Sequence, residues 1–373
     1  MLLKLVKLYL FLILVCQSFI LHAQDVGSFE PVEGSPFATG CNPTSIAFSP
    51  EVSGNLFAAV TNRANNTVSA YTVDIDSGTF TLVSSFPTGH HPVSVDFSPE
   101  VSGNVFAAVA SNDSVFSYTV DTDSGVFTRA SRHFIAGDCH SVAFSPEVSG
   151  NLFAAIARTH EEDGDIFVYK VDINSGSFHF AQFDHVFDGA NSVAFSPEVS
   201  GNVFLADTIE FDDAVDVYKV NTNSGTLAFV TSGITSEGPF SVAFSPEVSG
   251  NVFAAVANRI AGNVNVYKVN TTTGTLTQVP GSPFAAGGHS RSVAFSPEIS
   301  GNLFAAVANE ADNTVSVYIV DTATGTFTEV SDSPFPTGDR PYSVAFSPEV
   351  SGNVFAGVAN YGDRTVSVYK VVE

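Results

Sequence analysis

Histidine, arginine and carboxylate side chains gather at one recurrent place in this sequence. Six and four residues ahead of Phe48, Phe97, Phe144, Phe195, Phe244, Phe295 and Phe346 stand the pairs Asn42 and Thr44, His91 and Val93, Asp138 and His140, Gly189 and Asn191, Gly238 and Phe240, His289 and Arg291, and Arg340 and Tyr342. Three imidazoles, two guanidiniums and a carboxylate around one opening suit an anionic or hydroxylated small molecule, because the cations pair with oxyanions and imidazoles exchange protons near neutrality. His91, Asp138, Asn191, His289, Arg340 and Tyr342 are therefore candidate ligand contacts, with His140 and Arg291 beside them. A three-histidine metal site would have to draw on His91, His140 and His289 from well-separated repeats, so neither metal nor cofactor is expected.

Other charged positions read more plainly as structure. Asp74-x-Asp76-x-Gly78 and Asp121-x-Asp123-x-Gly125 look like fragments of a calcium loop but lack its distal bidentate glutamate. Asp bonding its own backbone ahead of a left-handed glycine accounts for them. Glu51, Glu100, Glu147, Glu198, Glu247, Glu298 and Glu349 recur in a copied turn and are expected to be turn residues in solvent. Asp96 and Asp207 differ: each breaks an otherwise apolar strand pattern, and a carboxylate between packed strands needs a partner or a raised pKa.

The elements that position these residues follow from repetition. Phe48-Ser49-Pro50-Glu51-Val52-Ser53-Gly54-Asn55 recurs seven times, at spacings of 49, 47, 51, 49, 51 and 51 residues. A fixed period near 50 marks one supersecondary unit copied along the chain. In the unit that begins at Ser241, four short runs alternate as strands do: Ser241–Phe244, Val252–Ala257, Val264–Val269 and Thr275–Val279. No stretch carries a helical period. Four-stranded antiparallel units repeated seven times predict an all-β, seven-bladed β-propeller. The chain ends after the third strand of its last unit, so the strand at residues 28–33 is expected to complete that blade and close the ring. With strands A to D in each blade, the uniform A–B and C–D turns share one face. The variable D–A and B–C loops, which carry the residues above, share the other.

Residues 1–23 stand apart: Lys4 and Lys7 precede an apolar run, and a small-residue cleavage site follows, which reads as a signal peptide ahead of one propeller domain over residues 24–373. A secreted, periplasmic or cell-surface location is expected. Only Cys41 and Cys139 remain in the mature chain, too few for a disulfide framework, and whether they pair is left open. With 14 basic against 38 acidic residues the formal charge is −24, which repels nucleic acid and anionic membranes. A monomer with no membrane insertion is expected.

The units at Gly338–Tyr369 and Asn309–Val330 resemble those of the seven-bladed lactonase-type propellers. That family includes 6-phosphogluconolactonases and carboxymuconate-lactonizing enzymes and grades into the YVTN-repeat propellers. The likeness spans residues 28–373 and lies mostly in the scaffold, so it speaks for fold before function. Lactonases of that family carry His-x-His before one strand A, then in the next blade an Arg four residues before the strand-A Phe and a Glu just after strand B. Here Asp138-Cys139-His140 matches the second His, Glu210 stands at the Glu position and Asn191 at the Arg position. Arg291 and Glu310 fill the Arg/Glu pair three blades later. The resemblance implies His140 as general base, Arg291 holding a substrate carboxylate, and Glu210 or Glu310 orienting water. No Ser nucleophile elbow, Gly-rich phosphate loop, HExxH or CxxC supports another enzyme class. The split constellation and the leader favour an exported propeller that binds a small molecule, glycan or protein at its mouth. The alternative is a lactone hydrolase, a carboxylic ester hydrolase using His140, Glu210, Arg291 and Glu310.

Overall fold

The computed structural model describes residues 26–160, 163–187 and 189–372. The expected signal peptide lies outside them. Seven antiparallel sheets follow one another along the chain, each ordered A-B-C-D, and the strands A of neighbouring sheets line the ring's centre. Blade 3 shows the plan: strand A Asp138–Phe144, B Leu152–His160, C Asp163–Val171 and D Phe178–Phe187. Strand B is buried along most of its length (Leu152 to Ala157), where alanine alternates with large side chains so that blades can approach on both faces.

The first strand, Phe29–Pro31, pairs antiparallel with the last, Thr365–Val371, with Phe29 opposite Val371 and Glu30 opposite Lys370. Phe37–Ala38 pairs with the same strand further along. Phe29 is buried and stacks on Phe335 and Tyr369 at 5.4 and 5.3 Å between ring centroids. The N-terminal segment is thus a packed part of blade 7, and it closes the ring.

The copied sequences have contacts that explain the copying. In the A–B turn Ser53 and Gly54 both take positive φ, Val52 bridges Asn55, and the Glu51 carboxylate accepts the Gly54 N–H. Asn55 Nδ2 then donates to the Thr122 carbonyl in the C–D turn of the next blade, 3.0 Å away. The C–D turn holds itself: Asp74 Oδ1 accepts the N–H groups of Asp76 and Ser77, which keeps its pKa below the usual carboxylate value. Its glycine has a second duty. At Gly125 (φ +70°) an added Cβ would sit 2.6 Å from the Phe57 ring of the preceding blade, and Gly176, Gly225, Gly274, Gly325 and Gly78 meet Phe106, Phe153, Phe204, Phe253 and Phe355 likewise. Each strand-B phenylalanine therefore lies on its neighbour's glycine, an inter-blade contact that excludes any side chain.

At the centre, Ser45 Oγ accepts the Val95 N–H at 3.2 Å, Ser94 accepts that of Val142 at 3.1 Å, and so on round the ring until Ser343 accepts that of Ile46 at 3.3 Å. Seven identical bonds latch seven strands A, the last crossing from blade 7 to blade 1. This fixes the floor beneath the variable loops.

Candidate functional site

Every strand A carries a β-bulge at the same place. In blade 3 the register passes from Cys139 opposite Arg158 to Ser141 opposite Ala157, so His140 is the extra residue. Thr44, Val93, Asn191, Phe240, Arg291 and Tyr342 are the extra residues of the other six. A bulge re-aims the side chain it inserts. All seven line one cavity of about 380 Å³ over the central serine ring.

The residues two positions earlier behave differently. Asn42, His91, Gly189, Gly238, His289 and Arg340 all have positive φ, a local reversal that leaves His91, His289 and Arg340 exposed and outside the cavity lining. Those three expected ligand contacts are therefore not brought to the site. Asp138 alone at this position keeps an extended backbone, paired with Thr159, and it does line the cavity. The structure thus places His140, Glu210, Arg291, Asp138, Asn191 and Tyr342 together, although they come from blades 3, 4, 6 and 7. Glu310 stands behind Arg291 and outside the lining.

The polar groups are held in fixed pairs. Asn191 Nδ2 donates to Glu210 Oε2 at 2.5 Å, and Arg291 Nη1 donates to Glu310 Oε2 at 2.9 Å. In both blades the partners are the bulge residue and the residue after strand B. The Arg291 guanidinium also lies 4.4 Å from the centroid of Phe240 and 3.6 Å from that of Tyr342, and Tyr342 in turn stacks on Tyr361 at 4.3 Å. Stacking and ion pairing leave this cation little freedom, and pre-ordering lowers the entropy that a bound anion would cost. His140 is in a mixed field. Burial lowers its pKa most, Asp138 and Glu210 pull upward, and Arg63 and Arg291 push down again; the net shift is below the ordinary 6.5, so the imidazole is neutral near pH 7.

Arg63 and Asn112 also line the cavity, and neither was among the expected contacts. Both follow strand B, the place of Glu210 and Glu310 in their own blades, so superposing the seven units would have found them.

The two irregular aspartates lie elsewhere. Asp96 faces the central channel below the cavity, and its oxygens accept the N–H of Phe97 at 2.9 Å and of Phe144, in the next blade, at 2.8 Å. Burial raises its pKa to about 6 despite those bonds. Asp207 is fully buried between blades 3 and 4; among the described residues neither oxygen has a hydrogen-bond partner, and burial together with Asp216 and Asp184 raises its pKa well above the usual value. Cys41 and Cys139 are both free, and burial pushes the Cys139 thiol to about 12.

Residues 35–144 and 250–372, more than half of the chain, match the family model described as lactonase, seven-bladed β-propeller. The chain belongs to that lactonase propeller family. Among solved structures, a putative 6-phosphogluconolactonase of Bacteroides fragilis is similar at 18% identity and a TM-score of 0.63, over 87% of this chain and 98% of that one. The periplasmic gluconolactonase of Pseudomonas aeruginosa is similar at 20% identity and 0.64, over 83% and 96%. Saccharomyces cerevisiae Sqt1 is similar at 12% identity and 0.58, over 94% and 99%. At these identities the likeness speaks for the propeller alone. No curated protein matches the sequence. Of the residues that the resemblance singles out, His140, Glu210 and Arg291 line one cavity from blades 3, 4 and 6.

Proposed function

We propose that this member of the lactonase propeller family hydrolyses a small lactone in the cavity at the channel mouth. The observation that carries the reading is the convergence of His140, Glu210 and Arg291 on that one cavity from three different blades. A non-catalytic binding site would need the donors and the cation. Hydrolysis needs in addition a group that accepts a proton, and burial keeps the His140 imidazole in the form that does so.

The chemistry follows from those positions. A water beside His140 gives its proton to the imidazole as its oxygen bonds to the lactone carbonyl carbon. Glu210, fixed by Asn191, accepts the water's other hydrogen and sets its direction. Arg291 faces the carbonyl oxygen as it becomes an oxyanion, its own charge set in place by Glu310 and two rings. When the tetrahedral species collapses the ring C–O bond breaks, the leaving oxygen takes the proton back from His140, and a hydroxy acid results. A volume near 380 Å³ admits a sugar-sized lactone. The leader expected from the sequence would deliver the chain to an exported compartment, where unphosphorylated lactones are the reasonable substrates.

The test is proton release from a panel of lactones, including aldonolactones and carboxylated muconolactones. His140→Gln is expected to lower kcat/KM by about 10²- to 10⁴-fold with an unchanged thermal melt. In the parent enzyme kcat/KM is expected to fall on acidification only below about pH 6.5, as the depressed imidazole charges. A panel with no turnover above buffer, or a His140→Gln enzyme as active as the parent, would remove the hydrolase reading.

A further inference from the structure

A second cavity, of about 430 Å³, opens between blades 1 and 2 away from the channel mouth. Its wall on the blade 2 side is strand D, Phe127–Phe134, which carries Arg129 and Arg132. Residues three apart on a regular strand face opposite ways. Here a bulge intervenes: Arg129 stands opposite Tyr118 and Arg132 opposite Phe116, with the register shifting between Arg129 and Ser131. Tyr118 and Phe116 both belong to the apolar layer packed against blade 1, so the bulge turns both guanidiniums toward the same cavity. At the equivalent places blade 1 has Leu82 and Ser85, blade 3 has Phe180 and Phe183, and blade 4 has Phe229 and Ser232. The paired arginines are peculiar to blade 2.

The rest of the lining adds donors. Asn65 and Asn66 turn their amide oxygens onto the N–H groups of Cys41 and His91, which leaves their NH₂ groups as what they can offer. Thr88 Oγ1 already accepts from the Tyr118 hydroxyl at 3.3 Å and retains its own hydrogen, and His90 brings an imidazole N–H. Among the described residues no carboxylate lines the cavity. Arg132 is oriented by Ser114 Oγ, at 3.0 and 3.2 Å from its nitrogens, and by the face of Phe116; Asp113 is reached only through Ser114. Among the described residues neither Arg129 nor Arg132 forms an ion pair. Two neighbouring guanidiniums without carboxylate partners repel each other, and an anion bound between them removes that repulsion.

We infer that this cavity is an anion-binding site, distinct from the channel mouth, that takes a sugar-sized molecule bearing a carboxylate, phosphate or sulfate. Two guanidiniums bind the oxyanion, and the amide and hydroxyl donors bind its remaining oxygens. Isothermal titration of the full mature chain with inorganic phosphate, inorganic sulfate and glucuronate separates the three chemistries. At least one is expected to bind, with affinity falling as salt is raised. Arg129→Gln/Arg132→Gln is expected to weaken that binding at least tenfold, and Arg63→Gln, at the channel mouth, to leave it unchanged. Because Arg132 also packs on Phe116, the exposed single change Arg129→Glu serves as a second variant and is expected to weaken binding by a similar factor with an unaltered melt. Absence of binding by all three anions at millimolar concentration would overturn the site. So would binding that survives Arg129→Glu.

Discussion

Blades 5, 6 and 7 and blades 3 and 4 descend from one repeat, yet their interiors are built differently. In the regular blades an asparagine ends strand B and ties strand C: Asn309 Nδ2 donates to Thr314 Oγ1 at 3.1 Å and Ser316 Oγ at 2.9 Å, and Asn360 repeats this with Thr365 and Ser367. Blade 3 has Arg158 at that place, paired with the buried Asp165, which also meets His185 Nδ1 at 3.0 Å. Blade 4 has the apolar Ile209 there and sets the partnerless Asp207 two residues earlier. The family model stops at the end of strand A in blade 3 and resumes in the A–B turn of blade 5, so it passes over blade 4 and most of blade 3. Blades whose neighbours are copies keep neutral hydrogen bonds, and the stretch that has left the pattern holds charge at a cost to stability.

The largest effect expected from this comparison concerns the regular side. Blade 7 lacks a fourth strand of its own and borrows Phe29–Pro31, whose Phe29 lies in an aromatic stack. A chain beginning at Cys41 would expose that stack and the edge of the last strand, and would leave blades 7 and 1 joined without the strand that completes blade 7. Calorimetry is expected to show the single cooperative transition lost. An unchanged melt would mean that the central serine ring and the packing of blade 1 on blade 7 close the propeller without the borrowed strand.

Next in size is Asp207→Val, which gives blade 4 the residue type found at Val60, Val109, Ile156, Val256, Val307 and Val358. Removing a buried carboxylate without partners is expected to stabilise the fold by about 1–3 kcal/mol at neutral pH, seen as a higher urea midpoint. The pH dependence has a definite sign. The folded pKa is raised, so the folded state holds this proton more tightly than the unfolded chain. Wild-type stability therefore falls as pH rises from about 3.9, the usual unfolded value, toward the folded pKa, and the advantage of the variant shrinks on acidification toward pH 4. Asp96 titrates with the same sign between its unfolded value and about 6. It is common to both proteins, so the difference between their curves isolates Asp207. A difference that did not change with pH would mean that Asp207 has the same pKa folded and unfolded.

The blades themselves were legible because copying repeats the pattern seven times, and the pairing of both ends was legible from the fourth strand missing after Thr365–Val371. Asp96 and Asp207 were legible as breaks in that pattern. What the sequence hid were the bulges. Strand alternation makes residues two apart share a face, so His91 and Val93, or His289 and Arg291, read as one ring around the mouth. The inserted residue and the positive φ before it separate them: Arg291 enters the cavity and His289 leaves it. The same effect works in reverse at Arg129 and Arg132, whose spacing of three suggests opposite faces until the bulge aligns them. A bulge is set by main-chain pairing across two strands, and no single strand's sequence records it. Arg63 was hidden for a simpler reason: the loops after strand B vary in length and chemistry, so no pattern marks the position.

The smallest expected effect tests how far the asparagine tie itself holds the regular blades. Asn309 makes a third bond, its Oδ1 accepting the Gly287 N–H at 3.0 Å, whereas the Oδ1 of Asn360 has no partner among the described residues. Asn309→Ala should strand a main-chain donor as well as release Thr314 and Ser316, for a cost of about 1–3 kcal/mol; Asn360→Ala loses only the two bonds to hydroxyls, which can turn to other acceptors, for about 1 kcal/mol. Urea midpoints of the two variants measured side by side decide the matter. If they coincide, the Gly287 bond contributes nothing and the tie between strands B and C is the whole of the asparagine's role. If Asn309→Ala falls below Asn360→Ala, the asparagine also anchors the loop that leads into strand A.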